Sequence, residues 1–287
     1  MKWIKELRVT HYLKNCLIFL PVFFDGKLFI GASWGRLAIG FVAFCLGASA
    51  IYLINDIKDL EKDRKHPTKC KRPIAAGEIA VGQAVVAAVL LIAAAYLVQI
   101  LLLSGAMRLY ACLILSAYIL VNLGYSVLGL KNIPLLDITL LVAGFYLRVY
   151  MGAFLSDVSI SSWLYLVIIT GACYLGFGKR RNELIHTGSS TRKALALYTE
   201  EFLNKTMYSC MTMTLIFFSL WCMEMREISS GFLVLVPIMM LICFKYNLDI
   251  EQKENDGDPM SVILKDKILM GLGMLLVLIT LILLYLG

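Results

Sequence analysis

Nine stretches of the chain are almost free of charge, and each approaches the length a bilayer crossing requires. They run over 12–32, 36–54, 81–103, 107–127, 133–155, 161–178, 207–223, 231–247 and 267–286. A helix spans the hydrocarbon core with about 20 apolar residues. The first run is the weakest, because Pro21 interrupts it. Gly, Ser or Asp bounds several of the others, as in "LSGAM" and "LSDVSISS", which leaves only short turns between neighbours. Three segments break the pattern by being long and charged: 55–80, 179–206 and 245–266. The pattern predicts an all-α, polytopic membrane bundle of nine transmembrane helices, taken as one domain over 1–287. A faint repeat of helix, charged loop, helix occurs at 36–103 and 161–223.

Composition agrees with that reading. Of 287 residues, 60% are hydrophobic and 16% charged, with a mean hydropathy of +0.80. Soluble domains carry about a quarter charged residues. The eight cysteines are spread singly and without a CxxC pair, so they read as small core hydrophobes and not as a disulfide or zinc framework. The opening "MKWIKELRVTHY" is basic and amphipathic and precedes an ordinary apolar span, so no cleavable signal is expected. Charge changes the picture through its distribution. With the N-terminus inside, 22 of the 27 Lys and Arg fall on cytoplasmic stretches. The positive-inside rule then places the charged loops in the cytoplasm of a cell-membrane protein and the C-terminus outside. No nucleic-acid partner is expected, and the oligomeric state stays open, a homo-oligomer included.

The second apolar run ends in "NDIKDLEKD". Continued as a helix, Asp56, Asp59 and Asp63 fall at i, i+3 and i+7, with Asn55 at the head of the array. Carboxylates at that spacing repel one another unless a cation is bound. Hard oxygen ligands of this number suit Mg2+, which keeps waters and is completed by substrate phosphates. Asn55, Asp56, Asp59 and Asp63 are therefore candidate metal ligands, with the three aspartates as the catalytic set. The bland alternative is a solvated helix end whose acids pair with Lys58, Lys62 and Arg64. Directly after the acids comes "HPTKCKRPIAAG", with His66, Lys69 and Arg72 as phosphate-binding candidates. A cytoplasmic loop would be basic without any such role.

A second basic patch, "GFGKRRNEL", carries Lys179, Arg180, Arg181 and Glu183. Membrane-surface anchoring and ligand binding both account for it. Ionisable groups inside spans are functional candidates by default. Asp137 and Arg148 share a helix face with Leu141 and Gly144, and an interior Arg can equally be one member of a structural ion pair. Tyr118, Asn122 and Tyr125 line one face of the fourth run, while Lys14 and Asn15 open the first.

These residues resemble the UbiA superfamily of intramembrane prenyltransferases. The likeness covers almost the whole chain, with N-D-x-x-D-x-x-x-D as "NDIKDLEKD" and R-P-x-x-x-G as "RPIAAG". It implies a helical bundle with a cytoplasmic-side cavity that binds and ionises a magnesium-diphosphate donor. The sequence departs from the superfamily at the second acidic motif, D-x-x-x-D, where it has "GKRRNEL". That exchange suits a donor carrying an extra phosphate. Five blocks, in order, are similar to the polyprenyl-phosphate phosphoribosyltransferase subgroup: "YLKNCLIFLPVFF", "NDIKDLEKDRKHPTKCKRPIAAG", "YSVLGLKNIPLLDITLLVAGFYLRVYMGA", "LGFGKRRNEL" and "FKYNLDIEQKENDGDPMSVILKDKIL".

The subgroup likeness implies 5-phosphoribosyl 1-diphosphate as donor and a polyprenyl phosphate as acceptor. It also implies a product that is a precursor of arabinose-containing envelope glycans. Lys14, Asn15, Tyr125 and Lys131 come from its blocks as further substrate-binding candidates. The alternative within the superfamily is transfer of an isoprenoid from its diphosphate to an aromatic acceptor. A transporter is the reading from another class; the concentration of charge on one side counts against it.

Overall fold

The computed structural model describes residues 2–26, 33–65, 69–188, 193–225, 229–251 and 259–285. The described residues are helical, without a strand. A short helix α1 (Lys2–Glu6) leads into a 3-10 helix (Val9–Phe19) and α2 (Leu20–Phe24). Then come α3 (Trp34–Lys58), α4 (Leu60–Lys65), α5 (Val81–Leu102), α6 (Gly105–Ser126), α7 (Leu136–Ser156) and α8 (Ser162–Thr187). The chain continues through α9 (Glu200–Glu224), α10 (Leu235–Glu251), α11 (Pro259–Lys265) and α12 (Lys267–Tyr285). Eight of these helices are long and apolar enough to cross a membrane: α3, α5 to α10 and α12.

The first expected span is where the structure differs most. Its described part is not one α-helix; Val9–Phe24 is a shorter apolar element, and residues 27–32 lie outside the described ones. Eleven of its residues are wound as 3-10 and five as α. At about 2.0 Å and 1.5 Å of rise per residue they reach about 30 Å, the thickness of the hydrocarbon core. Pro21 sits in the first turn of α2, where its missing N–H breaks no hydrogen bond. Elsewhere the helices outrun the apolar windows. Helix α8 continues to Thr187 and α9 begins at Glu200, because Lys, Arg, Glu and Leu extend a helix well once it has left the bilayer.

The chain divides into two compact units, Met1–Leu130 with Ala143–Ser159, and Lys131–Val142 with Ile160–Gly287. In the first unit α3 is central and packs against α5, α6 and the 3-10 helix. Leu37, Phe44, Ile51, Leu115, Met151 and Leu155 form its core. Small residues bring the backbones together. At Gly152 of α7 a methyl group would overlap the backbone carbonyl of Ile18 in the 3-10 helix. A backbone carbonyl cannot swing aside, so Gly152→Ala costs about 3 kcal/mol or more. A clearly lower melting temperature in detergent is the expected measurement.

In the second unit α8 and α9 form the most extensive helix pair, joined by α10 and α12. Thr214 donates to Thr170 at 3.0 Å, and Tyr174 donates to Asn247 at 2.5 Å. Such polar contacts replace the hydrophobic drive that lipid removes. Outward faces of α5 and α12 are bare Val, Leu and Met, including Val86, Leu90, Leu101, Met274 and Leu278. That surface suits lipid, and the chain is an integral, multi-pass membrane protein.

Candidate active site

The acidic motif lies at the junction of α3 and α4. Helix α3 ends at Lys58, Asp59 caps it outside helical geometry, and α4 starts at the next residue. Asp59 N–H still donates to Asn55 C=O, and Asp63 N–H to Asp59 C=O, at 2.9 and 2.8 Å. Those two bonds carry the helical register across the break. Asp56 and Asp63 are therefore both buried and both face one group, while Asp59 is half-buried. The shared group is Arg72, whose Nη1 donates to Asp56 Oδ1 at 2.8 Å and to Asp63 Oδ2 at 2.6 Å. Arg72 is placed by a compact turn: its N–H donates to Lys69 C=O, and Ala76 N–H donates to its own carbonyl. Gly77 closes that turn at φ +78°, a conformation that Gly adopts without strain.

Two residues that the charge pattern did not single out complete the cluster. Arg8 Nη2 donates to both oxygens of Asp56, at 2.6 and 2.7 Å, and its guanidinium stacks 4.7 Å above the Tyr52 ring. Its backbone is left-handed, at φ 51°, which costs an L-residue about 1 kcal/mol. Glu6 is 1% exposed and lies beside Asp56. Burial, and then the charge of Asp56, push its pKa up to about 7. Helix α1 is fastened over the following loop by Lys2 on the Glu78 carbonyl and Lys5 on that of Lys71, at 2.9 and 3.0 Å.

Among the described residues no three His, Cys, Asp or Glu side chains stand as a ready metal site, because arginine nitrogens occupy the carboxylates. The donor set nonetheless fits a hard divalent cation. Arg72 Nη1 already draws two carboxylates onto one positive centre. Asn55 Oδ1 is buried without a partner, an orphaned oxygen that a cation would satisfy. The residues therefore fit Mg2+.

Arg148 is the second group of note in this unit. It is buried, and it donates from Nε to Asn15 Oδ1 (2.7 Å), from Nη1 to Gly144 C=O (2.6 Å) and from Nη2 to the Tyr118 hydroxyl (2.9 Å). Asn15 in turn donates to Cys45 Sγ at 3.2 Å. Three neutral oxygens thus hold a guanidinium inside the membrane-spanning region, where the sequence left an ion pair open. Lys14, on the 3-10 helix, and Tyr125, on α6, are half-buried. Asn122 Nδ2 turns back onto the Tyr118 carbonyl. Lys69 and Lys131 are half-buried on single 3-10 turns, and His66 lies outside the described residues.

The second basic patch belongs to the other unit. Arg180 is 1% exposed and donates from Nε to Asp137 Oδ2 at 2.5 Å; its Nη1 donates to Glu183 at 2.7 Å. Asp137 is fully buried and also accepts from the Tyr198 hydroxyl at 2.9 Å. Leu135 N–H donates to that hydroxyl at 2.6 Å. Arg181 donates to Asn204 at 2.5 Å, and Lys179 is half-buried. Of the three basic residues, Arg180 is committed to carboxylates, whereas Lys179 and Arg181 stay closer to solvent. Tyr198 carried no signal in the sequence.

A model of the UbiA prenyltransferase family matches residues 28–260. A decaprenyl-phosphate phosphoribosyltransferase of Corynebacterium glutamicum is 36% identical over 281 residues, covering 94% of this chain and 83% of that protein. Its namesake from Mycolicibacterium smegmatis is 32% identical over 284 residues, covering 93% of this chain and 87% of that protein. The structure of a UbiA homologue from Archaeoglobus fulgidus, bound to DMAPP and Mg2+, superposes with a TM-score of 0.73 at 17% identity. It covers 99% of this chain and 98% of that one, and the likeness shows a shared fold.

Proposed function

The chain belongs to the UbiA prenyltransferase family, and on that footing we propose that it is a phosphoribosyltransferase. It moves 5-phosphoribose from 5-phosphoribosyl 1-diphosphate to a polyprenyl phosphate and releases diphosphate. The observation that carries this reading is the likeness, along nearly the whole chain, to relatives named decaprenyl-phosphate phosphoribosyltransferase.

Asn55, Asp56, Asp59 and Asp63 would hold Mg2+, which neutralises charge on the diphosphate leaving group. Arg72 and Lys69 meet the phosphates beside them, with Arg72 as the bidentate donor. The bond between C1 of the ribose and the diphosphate oxygen breaks, and its electron pair leaves with diphosphate. An oxygen of the lipid phosphate forms the new bond to C1 from the opposite face. That oxygen is already anionic, since the second pKa of a phosphate monoester is about 6. No general base is required. Lys179, Arg181, Lys14, Asn15, Tyr125, Lys131 and Arg148 are the further substrate contacts of this proposal. Asp137, Arg180 and Glu183 act by positioning α7 and α8. The distribution of Lys and Arg supports a cytoplasmic N-terminus and active site, with the C-terminus outside.

Purified protein given labelled 5-phosphoribosyl 1-diphosphate, a polyprenyl phosphate and Mg2+ is expected to label the lipid, and EDTA to stop it. Turnover of a prenyl diphosphate with an aromatic acceptor, and no labelled lipid, would overturn the proposal.

A further inference from the structure

A cavity of about 440 Å³ in the first unit is lined by Ile4, Lys5, Arg8, Val9 and Thr10. Among the described residues its lining combines two cations and a hydroxyl with two apolar side chains. Ile4 and Val9 are 64% and 42% exposed.

The cavity is continued by a track. In a 3-10 helix residues three apart eclipse one another, so Thr10, Leu13 and Cys16 form one row. All three are exposed. The track therefore runs from a cationic pocket along a small and apolar edge. Arg8 joins the pocket to the acidic motif, because the guanidinium that lines the cavity also grips both oxygens of Asp56.

We propose that this cavity binds the phosphate head of the acceptor lipid, with its isoprenoid chain laid along Thr10, Leu13 and Cys16. The inference rests on the phosphoribosyl-transfer reading and names the place of its second substrate. Lys5 supplies a point charge and Arg8 a fork. Binding there sets a phosphate oxygen beside the acids that hold the donor's metal, the arrangement that a direct displacement at C1 needs. Lys5 is exposed but also donates to the Lys71 carbonyl, so thermal unfolding of Lys5→Met is measured beside binding to separate a lost ligand contact from a loosened α1.

The test is binding of farnesyl phosphate, farnesol and inorganic diphosphate to the full-length protein in neutral detergent, followed by calorimetry. Farnesyl phosphate should bind more tightly than farnesol. Lys5→Met should weaken farnesyl phosphate about tenfold, the worth of one charge-assisted hydrogen bond, and Lys5→Arg should keep it. Leu13→Gln should weaken farnesyl phosphate and farnesol alike. Diphosphate binding should not respond to Lys5→Met. Equal farnesyl phosphate binding by wild type and Lys5→Met would overturn the inference. A parallel loss of diphosphate would give the cavity to the donor, and displacement by phosphatidic acid would make it a general lipid contact; either result overturns it too. Should binding follow the expected pattern while no phosphoribosyl lipid forms, the acceptor site stands and the proposed reaction falls.

Discussion

Asp59→Asn is expected to lower phosphoribosyl transfer about 10³-fold or more, the scale on which losing preorganised charge stabilisation acts. The same change should lower the melting temperature less than Asp56→Asn does, because Asp59 is half-buried and Asp56 is buried. The separation of the two effects follows from where the aspartates sit. Asp59 is half-buried at the break between α3 and α4, and its backbone bonds do not depend on its charge. Asp56 is different, since Arg8 and Arg72 both close on it. Asp56→Asn should cost stability as well as rate. Kinetics and thermal unfolding on both variants test the pair of statements. Unchanged turnover in Asp59→Asn would refute the metal assignment.

The largest effect on stability is expected at Arg180. Removing one partner of a buried ion pair strands the other, at a cost of about 3–5 kcal/mol. Arg180→Met leaves Asp137 fully buried with only the Tyr198 hydroxyl among the contacts described above. The double change Asp137→Leu with Arg180→Met removes both charges and should recover most of the loss, because an apolar pair avoids the desolvation penalty. Its KM for 5-phosphoribosyl 1-diphosphate should match wild type, consistent with a positioning role through α7 and α8. Lys179→Met and Arg181→Met, by contrast, should raise that KM with little loss of stability. If the double variant regains stability but binds donor poorly, Arg180 is a phosphate ligand after all.

The eight long helices were legible in the sequence because lipid imposes a compositional rule on every residue of a span. The acidic motif stood out as a run of acids at helical spacing, although the chain breaks the helix at Asp59 and resumes it as α4. The first span was legible as a short apolar run interrupted by Pro21; that its described part winds first as a 3-10 helix was not, because a 3-10 helix and an α-helix draw on the same apolar residues. Arg8 and Glu6 were hidden by a different effect. Counted among the charges of a cytoplasmic end, Arg8 looked like orientation alone, and only the fold brings it 48 residues along the chain to Asp56. The ion pair between Asp137 and Arg180 joins positions 43 residues apart, and the role of Tyr198 needs both. Arg148 stood out as an ionisable group in a span, and the Gly144 carbonyl it holds lies one turn back on its own helix; its other two partners, Asn15 and Tyr118, come from separate elements that no spacing relates.

The bridge that Arg72 makes between Asp56 and Asp63 has a practical consequence. Many metalloproteins are held together by their ion and collapse when a chelator removes it. Here a permanently charged side chain keeps the two acids from repelling each other, so under the proposed Mg2+ assignment the protein is expected to stay folded, though inactive, when purified without metal. Activity would then return on adding the ion, with no refolding in between.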